Sequence, residues 1–576
     1  MIRRMLPAVA VGVLAAACFL PALSGSFLNW DDDINFGHNV GYRGFGREQI
    51  RWVFTSVLFG HYIPITRLTF NLNYFLGGLN PFGYHLLNVL LHGVNGVLFY
   101  LVARRLLSAA VGGGSDVGDA QGRIDLCAGA VVAALVFGVH PLRVEPVSWV
   151  TGRADLLCTT FVLLSTLAYL RAVDGPATAR RDLILVSAAG FAAAFLSKAS
   201  ALPLPVALLL LDVYPLRRVR RLGWRSLVKE KVPLWVVAAG ATVIAAYATR
   251  HGVATTGIAD YDVASRLIIA AYSFVVPVAR FVVPAGLLPI YEMPHRVTLL
   301  EPRFGLAVAA AVLITTGLVL LRRRCPGALA AWIFSAVMLA PVSLGVRKTA
   351  DLAPDRYSYL AGLGFALLAG GAVVGGLRLI RRGVLARPMA WVIAGGCLAA
   401  ITGLGFMSWT YAEMWTDAGP LWRWAIELDP SCGICYNKLG EVVFGDPARA
   451  QEAEHLFRRS IGLRPDHANP HFNLAMVLAA QGRYAEAEAP LRDYIERVPR
   501  SAFGPARLGY TYFVQSRFDA AIPQFRIAIA RQPDMPELRG FLIQALEARA
   551  RELQAAGLGA QAASLLAESR ALGSAN

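Results

Sequence analysis

Asp31-Asp32-Asp33 places three carboxylates side by side, directly after an apolar run over residues 6–28. Like charges crowded at a membrane surface raise one another's pKa and cost free energy unless a function uses them. A carboxylate there can take the proton of an attacking hydroxyl. Asp31 and Asp32 could also hold Mg²⁺ or Mn²⁺, since adjacent carboxylates suit hard cations. The plain alternative is a solvated flank of a membrane anchor.

Further polar residues are candidates to line a site. His61 lies in Gly60-His61-Tyr62-Ile63-Pro64, and Tyr84 is one of several aromatics suited to a membrane interface. His85, Asn88, His92 and Asn95 recur at spacings of 3, 4 and 3, so they share one face of an otherwise apolar helix. Such a stripe faces a bundle interior or a water-filled cavity. It forms either interhelical hydrogen-bond glue or the wall of a site. A short polar turn carries Arg143, Glu145, Arg153 and Asp155, which either pair with one another or line a pocket. Lys198 ends an apolar run, and Asp355-Arg356-Tyr357 precedes another. Arg356 suits a phosphate, because guanidinium bonds phosphate oxygens in bidentate fashion. Its structural alternative is a salt bridge to Asp355 or Asp351. Arg347-Lys348-Thr349 enters from the same side.

The elements that would position these residues are apolar helices. The chain has 576 residues, of which 56% are hydrophobic, and its mean hydropathy of +0.50 is too high for an ordinary soluble protein. Long apolar runs fill residues 1–410 and stop there. Candidate spans are 6–27, 84–103, 125–141, 156–172, 183–197, 200–213, 233–249, 304–321, 327–345, 359–377 and 388–408, about eleven in all. Residues 266–290 carry Arg280 and prolines at 277, 284 and 289, and read as a juxtamembrane or re-entrant element. The net charge is +17, but from residue 411 onward 18 basic residues face 19 acidic ones. The excess therefore sits in short membrane loops, where it sets orientation. No basic face is left for nucleic acid. With the N-terminus cytoplasmic, Arg104/Arg105, Arg217–Arg221, Arg322–Arg324 and Arg378–Arg382 lie inside, while Asp31–Asp33 and the tail lie outside. Arg3-Arg4 and the following apolar run also fit a signal peptide, but the run is long for one and is taken as the first span.

The tail repeats. Pro430, Pro465, Pro499 and Pro533 are 35, 34 and 34 residues apart, and Ala453, Ala487 and Ala521 share that period with Phe457, Leu491 and Phe525. Gly440, Ala475 and Gly509 supply small residues where paired helices approach. This is the pattern of a tetratricopeptide-repeat α-solenoid. About three repeats follow a connecting helix over 411–428, giving domains at 1–410 and 429–576 with a capping region after 537. Cys432-x-x-Cys435 could be a local disulfide, two free thiols or half a metal site, and a structural role fits best.

In combination these motifs resemble a family. Trp30-Asp31-Asp32 with Asn39, Gly60-His61-Tyr62-x-Pro64-x-Thr66, Gly83-Tyr84-His85-x-x-Asn88-x-x-x-His92-x-x-Asn95, His140-Pro141-x-Arg143-x-Glu145-x-x-x-Trp149, Gly152-Arg153-Ala154-Asp155, Ser197-Lys198, Leu211-Asp212 and Asp355-Arg356-Tyr357-Ser358-Tyr359-Leu360 are similar to the multi-pass glycosyltransferases of the GT-C fold. The transmembrane, tetratricopeptide-repeat O-mannosyltransferases and the protein O-mannosyltransferases are the nearest in kind. The resemblance implies an all-α polytopic bundle, a sugar (mannose or another hexose) on a polyprenyl-phosphate carrier, and Asp31 or Asp32 as catalytic base. The residues expected to contact the donor are His61, Tyr84, His85, Asn88, His92, Arg143, Glu145, Arg153, Asp155, Lys198, Arg356 and Tyr357. A hydroxyl attacking opposite the phosphate would invert the anomeric centre, on the outer face of a bacterial inner membrane. The acceptor would be a protein Ser/Thr, docked by the repeats. The alternatives are a non-catalytic membrane scaffold that recruits partners through the repeats, and an oligosaccharide ligase or polymerase.

Overall fold

The computed structural model describes residues 2–58, 60–112, 119–251, 261–294, 296–343, 351–533 and 535–573. Arg347-Lys348-Thr349 lies outside the described residues. The chain forms two compact units, Met1–Leu421 and Trp422–Asn576, and the helix Ala418–Leu428 straddles the division.

The first unit is a helical membrane bundle. Among the described residues, nine helices are long and apolar enough to cross a bilayer: Pro81–Val111, Ala120–Gly138, Val150–Asp174, Val232–His251, Val263–Val282, Pro302–Leu320, Pro326–Ser343, Leu363–Arg381 and Met389–Met414. Val150–Asp174 is the most buried of them. The segment expected to span at 6–27 is a 16-residue helix, Ile2–Ala17, then a 3-10 turn at Leu20–Ser24, because Pro21 interrupts the pattern. Ile2–Ala17 crosses Pro81–Val111 at two glycines: a Cβ on Gly12 would sit 2.9 Å from the Gly93 carbonyl oxygen, and one on Gly93 as close to that of Gly12. Only glycine permits that approach.

Residues 266–290, expected to be re-entrant, contain one helix of spanning length, Val263–Val282, with Pro277 inside it. Its partners nonetheless include loop segments along its length. Ser265 Oγ donates to Val297 O at 3.2 Å, Ser273 Oγ to Leu352 O at 2.8 Å, and Arg280 to the Ala353 carbonyl at 2.8 Å.

Helix starts follow local chemistry. Asn80 accepts from Phe82 N with Pro81 at the first helical position, and Asp119 accepts from Gly122 N; both satisfy N–H groups that a helix leaves unpaired. The second unit stacks helix pairs: Gly433–Phe444 with Ala450–Leu463, Ala468–Ala480 with Tyr484–Arg497, Phe503–Val514 with Phe518–Arg531, and a last pair, Pro536–Ala555 with Gly559–Gly573. Ala453, Ala487 and Ala521 are fully buried. A Cβ on Gly440 would lie 2.6 Å from the Phe457 ring, and one on Gly509 2.9 Å from Phe525, so the period marks where paired helices touch. Cys432 and Cys435 are joined by a disulfide.

Candidate functional site

Asp32 pins the acidic turn. It is buried; Oδ2 accepts from Leu28 N at 3.1 Å, and Oδ1 from Thr151 N at 3.2 Å and Thr151 Oγ1 at 2.6 Å. Burial raises its pKa to about 7, against the opposing pull of those hydrogen bonds. Trp149 Nε1 donates to Trp30 O at 2.7 Å, and Asn35 Nδ2 to Thr151 Oγ1 at 3.1 Å. The turn is thereby docked on residues 149–151. Asp31 sits half-exposed at its apex with φ +68°. A non-glycine residue in that left-handed region is strained, and the Asp32 anchor maintains it.

Trp149 joins the turn to a cluster of charges. The Arg356 guanidinium lies 5.5 Å from the Trp149 ring centre and 5.3 Å from that of Tyr357, and Lys198 Nζ lies 5.7 Å from the Tyr357 ring. Arg356 is ion-paired with Glu145, its backbone N–H donates to Glu145 Oε2 at 2.7 Å, and its side chain reaches Asp351 at 3.4 Å. Burial alone would lower the Arg356 pKa, but Glu145 and Asp351 hold it well above its ordinary value. Lys198 pairs with Asp155 at 2.6 Å. Asp355 receives Arg280 at 3.0 Å and the Tyr291 hydroxyl at 3.0 Å. His61 is exposed, yet desolvation by surrounding protein, then Lys198, Arg67 and Arg356, lowers its pKa to about 4. His61 thus lies close to Lys198, Arg67 and Arg356, of which Lys198 and Arg356 are paired with carboxylates.

Other sequence-chosen residues form the frame behind this cluster. Asn88 donates to the carbonyls of Val147 and Trp149 at 3.2 and 3.0 Å. His92 bonds Tyr359 Oη at 2.7 Å and Gly138 O at 2.8 Å, while Asn95 bonds Leu156 O and Tyr359 Oη at 3.0 and 3.1 Å. Arg153 donates to Asn88 at 2.8 Å, Asn73 at 2.5 Å, Thr69 at 3.3 Å and Tyr84 O at 2.7 Å. His85 is buried beside Gly25. Tyr84 packs its ring among Phe27, Phe36 and Phe70, and its hydroxyl donates to Gly78 O at 3.1 Å. Arg143 is buried between Phe137 and Tyr359 and donates to Ser358 Oγ at 3.3 Å; among the described residues no carboxylate forms an ion pair with it. The structure thus groups Asp31, Asp32, His61, Glu145, Asp155, Lys198, Arg356 and Tyr357 around one surface. It sets Asn88, His92, Arg153, Tyr84, His85 and Arg143 behind that surface.

Thr151 and Arg67 had no individual signal, whereas Trp149 closes the motif that begins at His140. Trp149 and Thr151 connect the turn to the cluster, and Arg67 braces the His61 loop by donating to Ser56 O at 2.6 Å and to His61 O at 3.4 Å. Among the described residues no group of three or more His, Cys, Asp or Glu side chains could hold a metal ion, and both Asp32 oxygens already accept hydrogen bonds. Asp31 and Asp32 thus have no third such side chain beside them, among the described residues, to complete an all-protein cation site.

A tetratricopeptide-repeat family model matches residues 445–502 and 507–571. Over 172 residues, 28% of this chain and 22% of the relative, the sequence is 36% identical to protein O-mannosyl-transferase TMTC4 of Mus musculus. It is 41% identical over 125 residues to protein O-mannosyl-transferase Tmtc3 of Drosophila melanogaster (21% of this chain, 13% of the relative). It is 34% identical over 183 residues to TMTC1 of Homo sapiens (29% and 18%). The aligned stretches cover 13 to 22% of these relatives' own lengths. Among solved structures, the MamA fragment of Desulfovibrio magneticus is similar at 16% identity and a TM-score of 0.22, covering 27% of this chain and 84% of that one. YrrB, titled a tetratricopeptide-repeat protein with an unusual peptide-binding site, gives 17% and 0.22, with 26% and 74% covered. The chain is a multi-pass helical membrane protein carrying tetratricopeptide repeats, and it resembles the O-mannosyltransferases as its motifs imply.

Proposed function

We propose that the chain is a membrane glycosyltransferase that moves a hexose, mannose by analogy with its relatives, from a polyprenyl-phosphate carrier to a protein Ser/Thr hydroxyl. The observation that carries this reading is the physical link, through Trp149, between a strained, half-exposed Asp31 and the carboxylate-paired cations Arg356 and Lys198. The two carboxylates differ in role. Asp31 is the base, because it stands half-exposed at the apex of the turn, where an acceptor hydroxyl can approach. Asp32 is a positioning residue, because its oxygens are taken up by Leu28 and Thr151.

Asp31 takes the acceptor proton as the hydroxyl oxygen attacks the anomeric carbon. The bond to the carrier phosphate breaks on the opposite face, inverting configuration. Arg356 and Lys198 stabilise the departing phosphate, and their paired carboxylates fix where those charges stand. Neutral His61 stands beside these cations without adding a further full charge. This surface faces the extracytoplasmic side in a bacterial inner membrane with a cytoplasmic N-terminus, and the repeats hold the protein acceptor.

The test is transfer from polyprenyl-phosphate mannose to a Ser/Thr-rich peptide by purified full-length protein. Asp31→Asn should lower transfer by orders of magnitude and Asp32→Asn should reduce it less. Full transfer by Asp31→Asn would remove the base assignment, and no transfer by wild type from any polyprenyl-phosphate hexose would remove the donor class.

A further inference from the structure

The end of the bundle that carries Arg217–Arg221 holds a second charged surface, and the transfer reaction does not use it. Two short pieces form it, Val219–Leu222 and Trp224–Glu230, separated at Gly223, whose φ of +72° leaves the helical region. The next helix, Val232–His251, is long and apolar enough to span a membrane and begins two residues after Glu230. The second piece therefore ends at the bilayer boundary.

A buried ionic network bolts one face of this segment to the bundle. Lys231 is ion-paired with Asp212, and Arg218 binds Asp212 at 2.9 Å and Glu230 at 2.7 Å. Tyr169 Oη donates to both Asp212 oxygens at 2.6 and 2.7 Å. Leu227 and Lys231, one helical turn apart, are fully buried. The network's two acids and two bases neutralise one another, which leaves the charges on the outer face uncompensated.

The rest of the helix is arranged in stripes. At 3.6 residues per turn, Trp224 and Val228 form a stripe beside the buried Leu227/Lys231 face, and they are 53% and 42% exposed. Arg225 and Lys229 form the next stripe, also exposed. Buried, then exposed-apolar, then basic is the order of a helix seated at a bilayer surface: indole and valine at the acyl boundary, cations at headgroup height. Arg220 and Arg221 add two exposed charges before Gly223. The Arg322–Arg324 turn lies at the same end, since a Cβ on nearby Gly327 would lie 3.4 Å from the Tyr214 hydroxyl. Among the described residues no carboxylate pairs with Arg220, Arg221, Arg225 or Lys229.

We propose that Arg217–Lys229 is a binding surface for anionic lipid headgroups, held by the Asp212–Lys231 network at the depth where Trp224 enters the acyl region. Charge complementarity selects the occupant, because a surface fixed at the bilayer boundary and carrying both basic and apolar stripes meets lipid phosphates first. The proposal is independent of the sugar-transfer reading.

Full-length protein in nanodiscs of mixed phosphatidylglycerol and phosphatidylcholine tests it, with retained lipids counted by native mass spectrometry. Wild type should retain phosphatidylglycerol several-fold above its share of the bilayer. The Arg220→Gln/Arg221→Gln/Arg225→Gln/Lys229→Gln variant should retain it at the bulk ratio. Equal enrichment in both proteins would overturn the proposal. A second measurement needs no charge substitution: brominated phosphatidylglycerol should quench the emission difference between wild type and Trp224→Phe more than brominated phosphatidylcholine does. Equal quenching, or none because an acidic protein covers the face instead, would also overturn it.

Discussion

The two units of this chain place charge in opposite ways. In the repeat unit ion pairs lie mostly on the surface, at helical spacings such as Arg449–Glu452 and Arg458–Glu454, while a periodic apolar set fills the interior. In the membrane unit the pairs at the candidate site are buried and join distant parts of the chain, as with Glu145–Arg356 and Lys198–Asp155. A buried pair loses its hydration, and that cost is offset only by accurate geometry; a surface pair contributes little. The repeat unit is therefore stabilised by packing that can be repeated, and the membrane unit by polar contacts that cannot. The second pattern recurs at the candidate site and at the Asp212–Lys231 network.

This contrast predicts a graded series of effects. Asp31→Asn should lower transfer by ~10²–10⁴-fold, the usual contribution of a general base, with the melting temperature of the membrane unit unchanged; a smaller loss of rate, or a collapse of stability, would contradict it. Arg356→Ala leaves Glu145 buried without its partner and should destabilise the membrane unit by ~3–5 kcal/mol, while Arg356→Ala/Glu145→Gln recovers stability but not transfer. Denaturant titration together with turnover separates those outcomes. In the repeat unit Gly440→Ala forces the Phe457 ring to move and should cost ~1–3 kcal/mol, read as a lower melting temperature of the isolated transition with transfer to a short peptide unaffected.

Asp32 gives a pH test. Its pKa is about 7 in the folded protein against 3.8 ordinarily, so the folded state holds a proton that the unfolded chain has released. Stability should fall as pH rises from about 4 to about 7, and Asp32→Asn should flatten that slope in thermal melts across the window. The smallest effect belongs to Arg449→Gln, whose exposed pairing with Glu452 should leave the melting curve unchanged.

What could be read in advance follows the same division. The 34-residue period locates Phe457, Leu491 and Phe525 because a solenoid repeats its contacts with nearest neighbours, so local sequence carries the fold. The stripe of His85, Asn88, His92 and Asn95 was legible as a face, and all four are buried. Their partners were not legible: Tyr359, which takes both His92 and Asn95, is more than 260 residues away. Arg153 was chosen for its charge, yet its side chain binds Asn73, Asn88 and Thr69, which nothing near it in sequence foretells. The split between Asp31 and Asp32 was equally hidden, since it depends on Thr151 and on one backbone angle. Helix 263–282 shows a third limit: apolar length alone cannot tell a helix that crosses from one tied to the loops.

The Arg153 contacts also bear on how the chain is made. Thr69, Asn73, Asn88 and the Tyr84 carbonyl leave the ribosome 65 to 84 residues before the arginine that satisfies them. Until the helix Val150–Asp174 enters, those groups face lipid or water without their final partner. Insertion must therefore run ahead of assembly. In the finished protein a single guanidinium ties Pro64–Gly77 and Pro81–Val111 to the helix that carries it.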